Sequence, residues 1–429
     1  MNLQELVDEF IFHVTAQAEA LERNMPGTGN RHAREQAAAL EKLRAQGDAG
    51  MKALATLLAH PHGVVAAGAA VYLLRHRAHE EAARKVLEDV ARGEGLSALG
   101  ASLALKRWEE GTLVPEPEVG TSPDTADEKR AGPAPARRKA LSRPRPGQPL
   151  ELPDSLAPHR ALLEHALAPC LLFDKVAGPP TARGCRYGGL PFLPPGTPWP
   201  RSPEGPLHFV GQLDFAELAN CRENSLPELP KDGLLAFFYD IENQPWGTGP
   251  ADRAFWRLVY VPPGAELVSI SPPAELMKTE RPLLPSCHLR PTLGLSFPGW
   301  FDLHSPVPPD SWNDEQGEEL IELRRKLVGT VTADVGADQV RGHPNWWQED
   351  GRVDAQLAAN GINAVHSLES PEAERLRPGA ADWNLLWQVG TDEALGFVWG
   401  SYGTLYLLIR DDDLRACRFD RAWLLLQCS

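Results

Sequence analysis

A chain of 429 residues, 42% of them apolar, is long enough for two or three domains and apolar enough to give each a core. Its net charge of −15 is uneven: residues 1–114 hold 13 basic and 15 acidic side chains, 115–150 hold 7 and 5, and 151–429 hold 23 and 38. The last segment therefore repels phosphate backbones and anionic membranes, which excludes both as partners and favours a basic protein.

No apolar run approaches the roughly 18 residues of a membrane span. The start MNLQELVDEF is acidic and amphipathic, unlike a leader peptide. Six cysteines without a CxxC fit free thiols in a reducing compartment, so a cytoplasmic protein without metal or cofactor is expected.

Leu3, Leu6, Phe10, Val14, Ala18 and Leu21 recur every three or four positions, which predicts a helix over 3–21. Further helical stretches run from Arg31 to Gly47, through Leu54, Leu57 and Leu58, and from Val64 to Arg75, with a break at His60-Pro61-His62-Gly63. Ala83, Val86, Leu87 and Val90 make another stripe, and Leu96, Leu99 and Leu103 a last one. Short helices with short breaks stack as antiparallel pairs. The phrase HPHGVVAAGAAVYLLRH resembles the second helix of HEAT-type repeats, so a HEAT-like bundle is expected over 1–112, an architecture that holds partners. His76 and His79 beside Glu80 have the spacing of a metal pair, but with Arg75 and Arg77 at a helix end they read as charges facing the dipole.

Residues 113–149 contain eight prolines, and large apolar residues nearly vanish between Val119 and Leu141. Such a segment cannot bury enough surface to order itself, so a disordered spacer is expected. A basic tether built on Arg137, Arg138 and Lys139 is the functional alternative.

Over 150–429 the reading is an α+β domain with a largely antiparallel sheet and a few helices. A helix is expected from Pro158 to Ala168, then strands at Cys170–Phe173, Leu207–Phe215, Leu234–Asp240, Trp256–Val261 and Glu266–Ile270. From there to Pro309 proline and glycine dominate, and Asp314–Val328 is a helix with Leu320, Leu323 and Leu327 inward. Alternation in the second of these strands places Gln212 and Asp214 on one face.

The segment CRYGGLPFLPPGTPWP, residues 185–200, is too poor in backbone donors and too restricted in φ for a helix or central strand. It must be a stiff loop pinned by Tyr187, Phe192 and Trp199. It resembles the signature of the YwqG-like family, a bacterial domain of unknown function. The later blocks GHPNWWQED at 342–350, WNLLWQV at 383–389, FVWGSYG at 397–403 and LYLLI at 405–409 follow in that family's order. One departure is Ser401, where the family usually carries an aspartate.

Gln212-Leu-Asp214 followed by Gly233–Asp240 looks like Gln388-Val389 followed by Gly403–Asp411, which suggests two related units about a pseudo-two-fold axis. Any two antiparallel hairpins would also look alike. The test is whether Gln212 and Gln388 take related places in the sheet.

No phosphate loop, dinucleotide fingerprint or paired zinc-ligand motif occurs. Gly294-Leu-Ser296 lacks the second glycine of a nucleophile elbow. The Asp411–Asp413 run lacks the spaced oxygens of a calcium loop. Polar Gln212, Asp214, His343, Gln348, Asp350 and Gln388 sit inside aromatic blocks, where an unsatisfied polar group costs about 1–3 kcal/mol. They either tie down the proline- and glycine-rich loops or share a cleft with Trp346, Trp347 and Trp387. The functional expectation is a non-enzymatic protein-binding or adaptor protein, with toxin-immunity proteins as the analogy. The alternative is a hydrolase or transferase around His343, Gln348 and Asp350.

Overall fold

The computed structural model describes residues 2–22, 26–93, 101–102, 104–106, 108, 146–148 and 150–428, except 180, 223, 280, 300–301, 306–311, 329–337, 368–369 and 401. Nearly all of the spacer read at 113–149, the stripe from Leu96 to Leu103, and Ser401 lie outside the described residues. The chain divides into two compact units, 1–138 and 139–429.

The first unit is helical, with α1 (Leu3–Glu22), α2 (Pro26–Arg44), α3 (Asp48–Thr56), α4 (Gly63–Arg75) and α5 (Glu80–Ala91). The apolar stripes meet in one core that includes Leu6, Phe10, Val14, Leu43, Leu54, Leu73 and Leu87. Each such side chain contributes about 1.5–3 kcal/mol on full burial. Small residues on α4 permit the close approach expected of them, for a Cβ at Gly68 would already touch the Phe10 ring at 3.5 Å. His76 differs from its reading as a dipole-facing charge. Its ring lies 4.4 Å from that of Tyr72, and burial pulls its pKa down, which disfavours the cation.

The second unit contains α6 (Arg160–Ala166), α7 (Phe215–Cys221), α8 (Asp314–Val328) and α9 (Arg352–Ala359) around a large sheet. Its strands are β1 (Ala168–Ala177), β2 (Arg186–Tyr187), β3 (Phe192–Leu193), β4 (Arg201–Ser202), β5 (Gly205–Pro206), β6 (His208–Asp214), β7 (Leu234–Tyr239), β8 (Trp256–Val261), β9 (Val268–Ser269), β10 (Cys287–Ser296), β11 (Gln339–Val340), β12 (Trp383–Gly390), β13 (Gly403–Arg410) and β14 (Trp423–Cys428). Ten of them form one antiparallel sheet in the order β14-β13-β12-β11-β1-β10-β2-β6-β7-β8. Rings from strands at its two ends meet, Trp256 of β8 and Trp423 of β14 at 6.3 Å, so the sheet curls into a near-barrel around its aromatic core. As expected, Leu320, Leu323 and Leu327 of α8 are buried, packed with Leu156, Leu163 and Leu295.

Read outward from the central pair β1–β10, the two halves of the sheet match. Each continues with a two-residue strand, then a bulged strand, then two more long ones. Arg186 of β2 faces Gln212 of β6, and Gln339 of β11 faces Gln388 of β12. The bulges fall between Phe209 and Gly211 in β6 and between Leu385 and Trp387 in β12, the same distance before each glutamine. Two consecutive left-handed residues follow each short strand, Gly188 and Gly189 with φ of 57° and 71°, then Arg341 and Gly342 with φ of 62° and 74°. Arg186-Tyr-Gly-Gly-Leu-Pro191 and Gln339-Val-Arg-Gly-His-Pro344 thus hold equivalent places. Gln212 and Gln388 meet the condition set for them, and the repeat extends to strands the first comparison did not include.

The long central strand β10 is not apparent in the sequence, because it runs through a proline-rich stretch and contains Pro291. The sheet accommodates that proline because β2 pairs only with Cys287 and His288, leaving β10 with β1 alone as its paired neighbour at Pro291.

Candidate functional site

The signature loop after β2 turns on Gly188, where an added Cβ would lie 2.0 Å from the Pro285 carbonyl. The left-handed pair turns the loop's carbonyls toward the Arg186 side chain. Its guanidinium donates to the oxygens of Gly188, Leu190 (2.6 Å) and Thr181 (3.1 Å), and to Gln212 Oε1 at 3.2 Å. Gln212 Nε2 in turn donates to the carbonyls of Ala182 and Gly184. Asp214 accepts from the Arg183 guanidinium at 2.9 Å and from the backbone N–H groups of Gly184 and Ala216, the last contact capping α7.

The loop after β11 repeats this wiring with other residue types. Gln339 Nε2 donates to the oxygens of Arg341 (3.0 Å) and His343 (2.8 Å), two and four residues on, the offsets Arg186 uses. Gln388 Oε1 accepts from the Asn345 backbone N–H at 2.8 Å. Arg341, held in a left-handed conformation that suits few side chains, is anchored by Glu228 at 2.7 Å, Asp411 at 2.8 Å and the Leu385 carbonyl.

At the end of this second loop the structure assembles a serine, a histidine and an aspartate. His343 Nδ1 lies 3.7 Å from Asp302 Oδ2, and Ser296 Oγ lies 2.8 Å from the backbone nitrogen of His343. A hydrolytic triad needs the histidine's other ring nitrogen on the serine oxygen. Here Nε2 donates to the Ala166 carbonyl at 3.0 Å, and Ser296 Oγ donates to the Ala168 carbonyl while accepting from the His343 N–H. The group therefore pins the end of α6 and the start of β1 to the loop.

Behind it, Asp302 and Asp350 share the guanidinium of fully buried Arg352, whose Nε donates to the Trp383 carbonyl at 2.9 Å. Burial alone would raise the Asp302 pKa, but the His343 imidazole 3.7 Å away and the Arg352 charge outweigh it and lower it to about 2. Asp350 also accepts from the N–H groups of Leu303 and Arg352. Nearby Asp354 goes the other way, pushed up to about 6 by burial and then by Glu349 and Asp350.

Of the aromatic residues of the expected cleft, Trp387 is buried and Trp346 and Trp347 are half-buried. Trp387 stacks on Tyr187 at 5.8 Å, joining the two halves of the core. Trp346 packs between the Tyr406 ring at 4.6 Å and the Arg352 guanidinium at 5.6 Å. Trp347 donates through Nε1 to Thr404 Oγ1 at 2.9 Å, and Gln348 Nε2 donates to the Cys428 carbonyl at 3.0 Å. His343, Trp346, Trp347, Gln348 and Asp350 follow β11 and Gln388 lies on β12, in one half of the sheet, while Gln212 and Asp214 lie on β6 in the other.

Sequence reasoning missed Arg186, Asp302, Gln339, Arg341 and Arg352. The available signal was the shared Gly-x-Pro at Gly189-Leu-Pro191 and Gly342-His-Pro344, each glycine three residues after a long polar side chain, Arg186 and Gln339.

An antiparallel near-barrel of two matching halves, each with a wired left-handed loop, defines the class of domain. The model of the family described as a domain of unknown function (DUF1963) matches residues 185–428, and the chain belongs to that family. A solved structure, the protein RPA1889 from Rhodopseudomonas palustris CGA009, is 27% identical, covering 27% of this chain and 95% of its own, with a TM-score of 0.25. No curated protein matches the chain. Among the described residues no helix is long and apolar enough to cross a membrane.

Proposed function

We propose that this protein is a non-catalytic adaptor, with a HEAT-like helical part over 1–112 joined by a spacer over 113–149 to a rigid DUF1963 domain over 150–429. The observation that carries this reading is the wiring of His343: its Nε2 faces a backbone carbonyl and the adjacent Ser296 oxygen serves backbone groups. A histidine so committed supports a framework role. The acidic excess of residues 151–429 supports a basic protein partner in a cytoplasmic setting. Exposed carboxylates such as Glu372, Glu374 and Asp412, now beside Arg375, Arg377 and Arg415, would meet it by exchanging those surface ion pairs.

The test is crosslinking capture from the native host with the wild type and with Glu372→Lys/Glu374→Lys/Asp412→Lys. The expected result is a basic protein captured by the wild type and lost with the charge-reversed chain. Turnover of an ester, amide or phosphoester panel by the wild type, abolished by His343→Ala and Asp354→Asn in folded protein, would overturn the reading. It would favour the second one, an enzyme around His343, Gln348 and Asp350, for which the Asp354 carboxyl at about 6 speaks.

A further inference from the structure

The helical unit carries a polar constellation of its own on its first two helices. On α1, Glu9 and His13 are four residues apart and share a face; on α2, His32 and Glu35 are three apart and share another. The two faces meet. A ring nitrogen of His13 and one carboxylate oxygen from each of Glu9 and Glu35 lie within 4.8 Å of one another. His13 Nδ1 lies 2.9 Å from His32 Nδ1, so one imidazole donates to the other and the His13 ring is held in place from behind. The Phe12 ring meets both imidazoles edge-on, with centroids 5.0 Å and 5.9 Å away, and shields them on one side.

The geometry points to a divalent transition-metal site formed by Glu9, His13 and Glu35 across the α1–α2 pair, with His32 orienting His13. Two carboxylates neutralise the cation, and the imidazole selects ions such as Zn²⁺, Co²⁺ or Ni²⁺ over Mg²⁺ and Ca²⁺, which prefer all-oxygen sites. Metal–ligand bonds of roughly 2.0–2.2 Å require the donor atoms to stand about 3.5 Å apart, a spacing that rotation of the exposed Glu35 side chain supplies. Lys42 Nζ now sits 3.1 Å from Glu9 Oε1; a carboxylate has lone pairs for both, and a bound dication weakens that contact. Such a site ties α1 to α2, so metal binding stabilises the helical unit.

The test uses the full chain and the metals themselves. Titration with Co²⁺ is expected to give visible d–d absorption saturating at one equivalent, with Zn²⁺ displacing it and a tenfold excess of Mg²⁺ leaving it unchanged. His13→Ala and Glu35→Gln should each lower Co²⁺ affinity at least tenfold. His60→Ala/His62→Ala, which removes two histidines outside the cluster, should not. Lys42→Ala should hold the affinity or raise it. Glu35 is exposed, so Glu35→Gln keeps the test valid even if His13→Ala impairs folding. Absence of Co²⁺ absorption, or absorption that survives Glu35→Gln or disappears with His60→Ala/His62→Ala, overturns the proposal.

Discussion

Gln212 and Gln388 stand in the same place in the two halves of the sheet, each facing the first residue of a two-residue strand, with Gln212 bonded to the loop before that strand and Gln388 to the loop after it. Their partners, Arg186 and Gln339, differ in charge and size yet reach the carbonyls two and four residues on. The repeat is thus a repeat of hydrogen-bond wiring, with residue type free to vary wherever a donor of similar reach is available.

Removing either glutamine should therefore have similar effects. Gln212→Ala and Gln388→Ala each leave buried loop groups without a partner, at a cost of about 1–3 kcal/mol. They bond different loops, Gln212 the carbonyls of Ala182 and Gly184 and Gln388 the Asn345 N–H, so the double variant should show the sum within about 0.5 kcal/mol. Urea denaturation of the three variants measures this, and strong non-additivity would show that the halves are not independent.

Glycine is required where the left-handed backbone also approaches another chain segment. In Gly188→Ala the new Cβ would stand 2.0 Å from the Pro285 carbonyl oxygen, and in Gly342→Ala 2.3 Å from Ser296 Oγ. Both should lose about 3 kcal/mol or more. Gly196→Ala has a φ of 79° but open space, and should lose only about 1 kcal/mol. Thermal melts of the three rank them.

The aspartates around Arg352 give opposite pH dependences. The Asp354 pKa is raised to about 6, so between about pH 4 and 6 the folded state holds a proton that the unfolded state has released. This group's contribution to stability falls as pH rises through that window. Asp354→Asn should accordingly be about 1–2 kcal/mol more stable than wild type at pH 7 and lose that advantage near pH 4. Chemical denaturation at the two pH values checks it.

For Asp302 the sign reverses. Its pKa is held at about 2, so its contribution is complete above about pH 4 and is lost as pH falls toward 2. Asp302→Asn leaves the buried Arg352 with a weakened partner set and should cost about 3–5 kcal/mol at pH 7. The difference from wild type should shrink between pH 4 and 2, read from acid-unfolding curves.

Trp346→Ala/Trp347→Ala is expected to destabilise the domain, by about 1–3 kcal/mol for each half-buried ring. Both rings pack against the core, and Trp347 also holds Thr404. A double variant that melts at the wild-type temperature would return these residues to the category of an exposed docking face.

Helix positions and most strands were legible in the sequence because they follow from local rules of apolar period and turn residues, but the exclusion of a central strand from 185–200 is corrected: Arg186–Tyr187 forms β2 between β10 and β6, short enough to end before the left-handed glycines. The β10 strand was hidden because Pro291 argues against a central strand unless one neighbour stops short, and only the length of β2 tells that it does. The site was half legible. His343, Asp350 and the glutamines stand out as polar groups among aromatics, but Asp302 lies 41 residues before His343 and Arg186 lies 26 before Gln212.

The sequence by itself determined that the chain has a helical part and an antiparallel, loop-rich acidic part, since periodicity, turn residues and charge are properties of neighbouring positions. Only the tertiary structure decided which polar groups meet. It placed Gln212 and Gln388 in equivalent posts on β6 and β12, and it turned His343 Nε2 toward a carbonyl instead of a nucleophile. Those outcomes depend on register and crossover between distant strands, and a hydrogen bond formed across such a crossover leaves no local pattern in the chain.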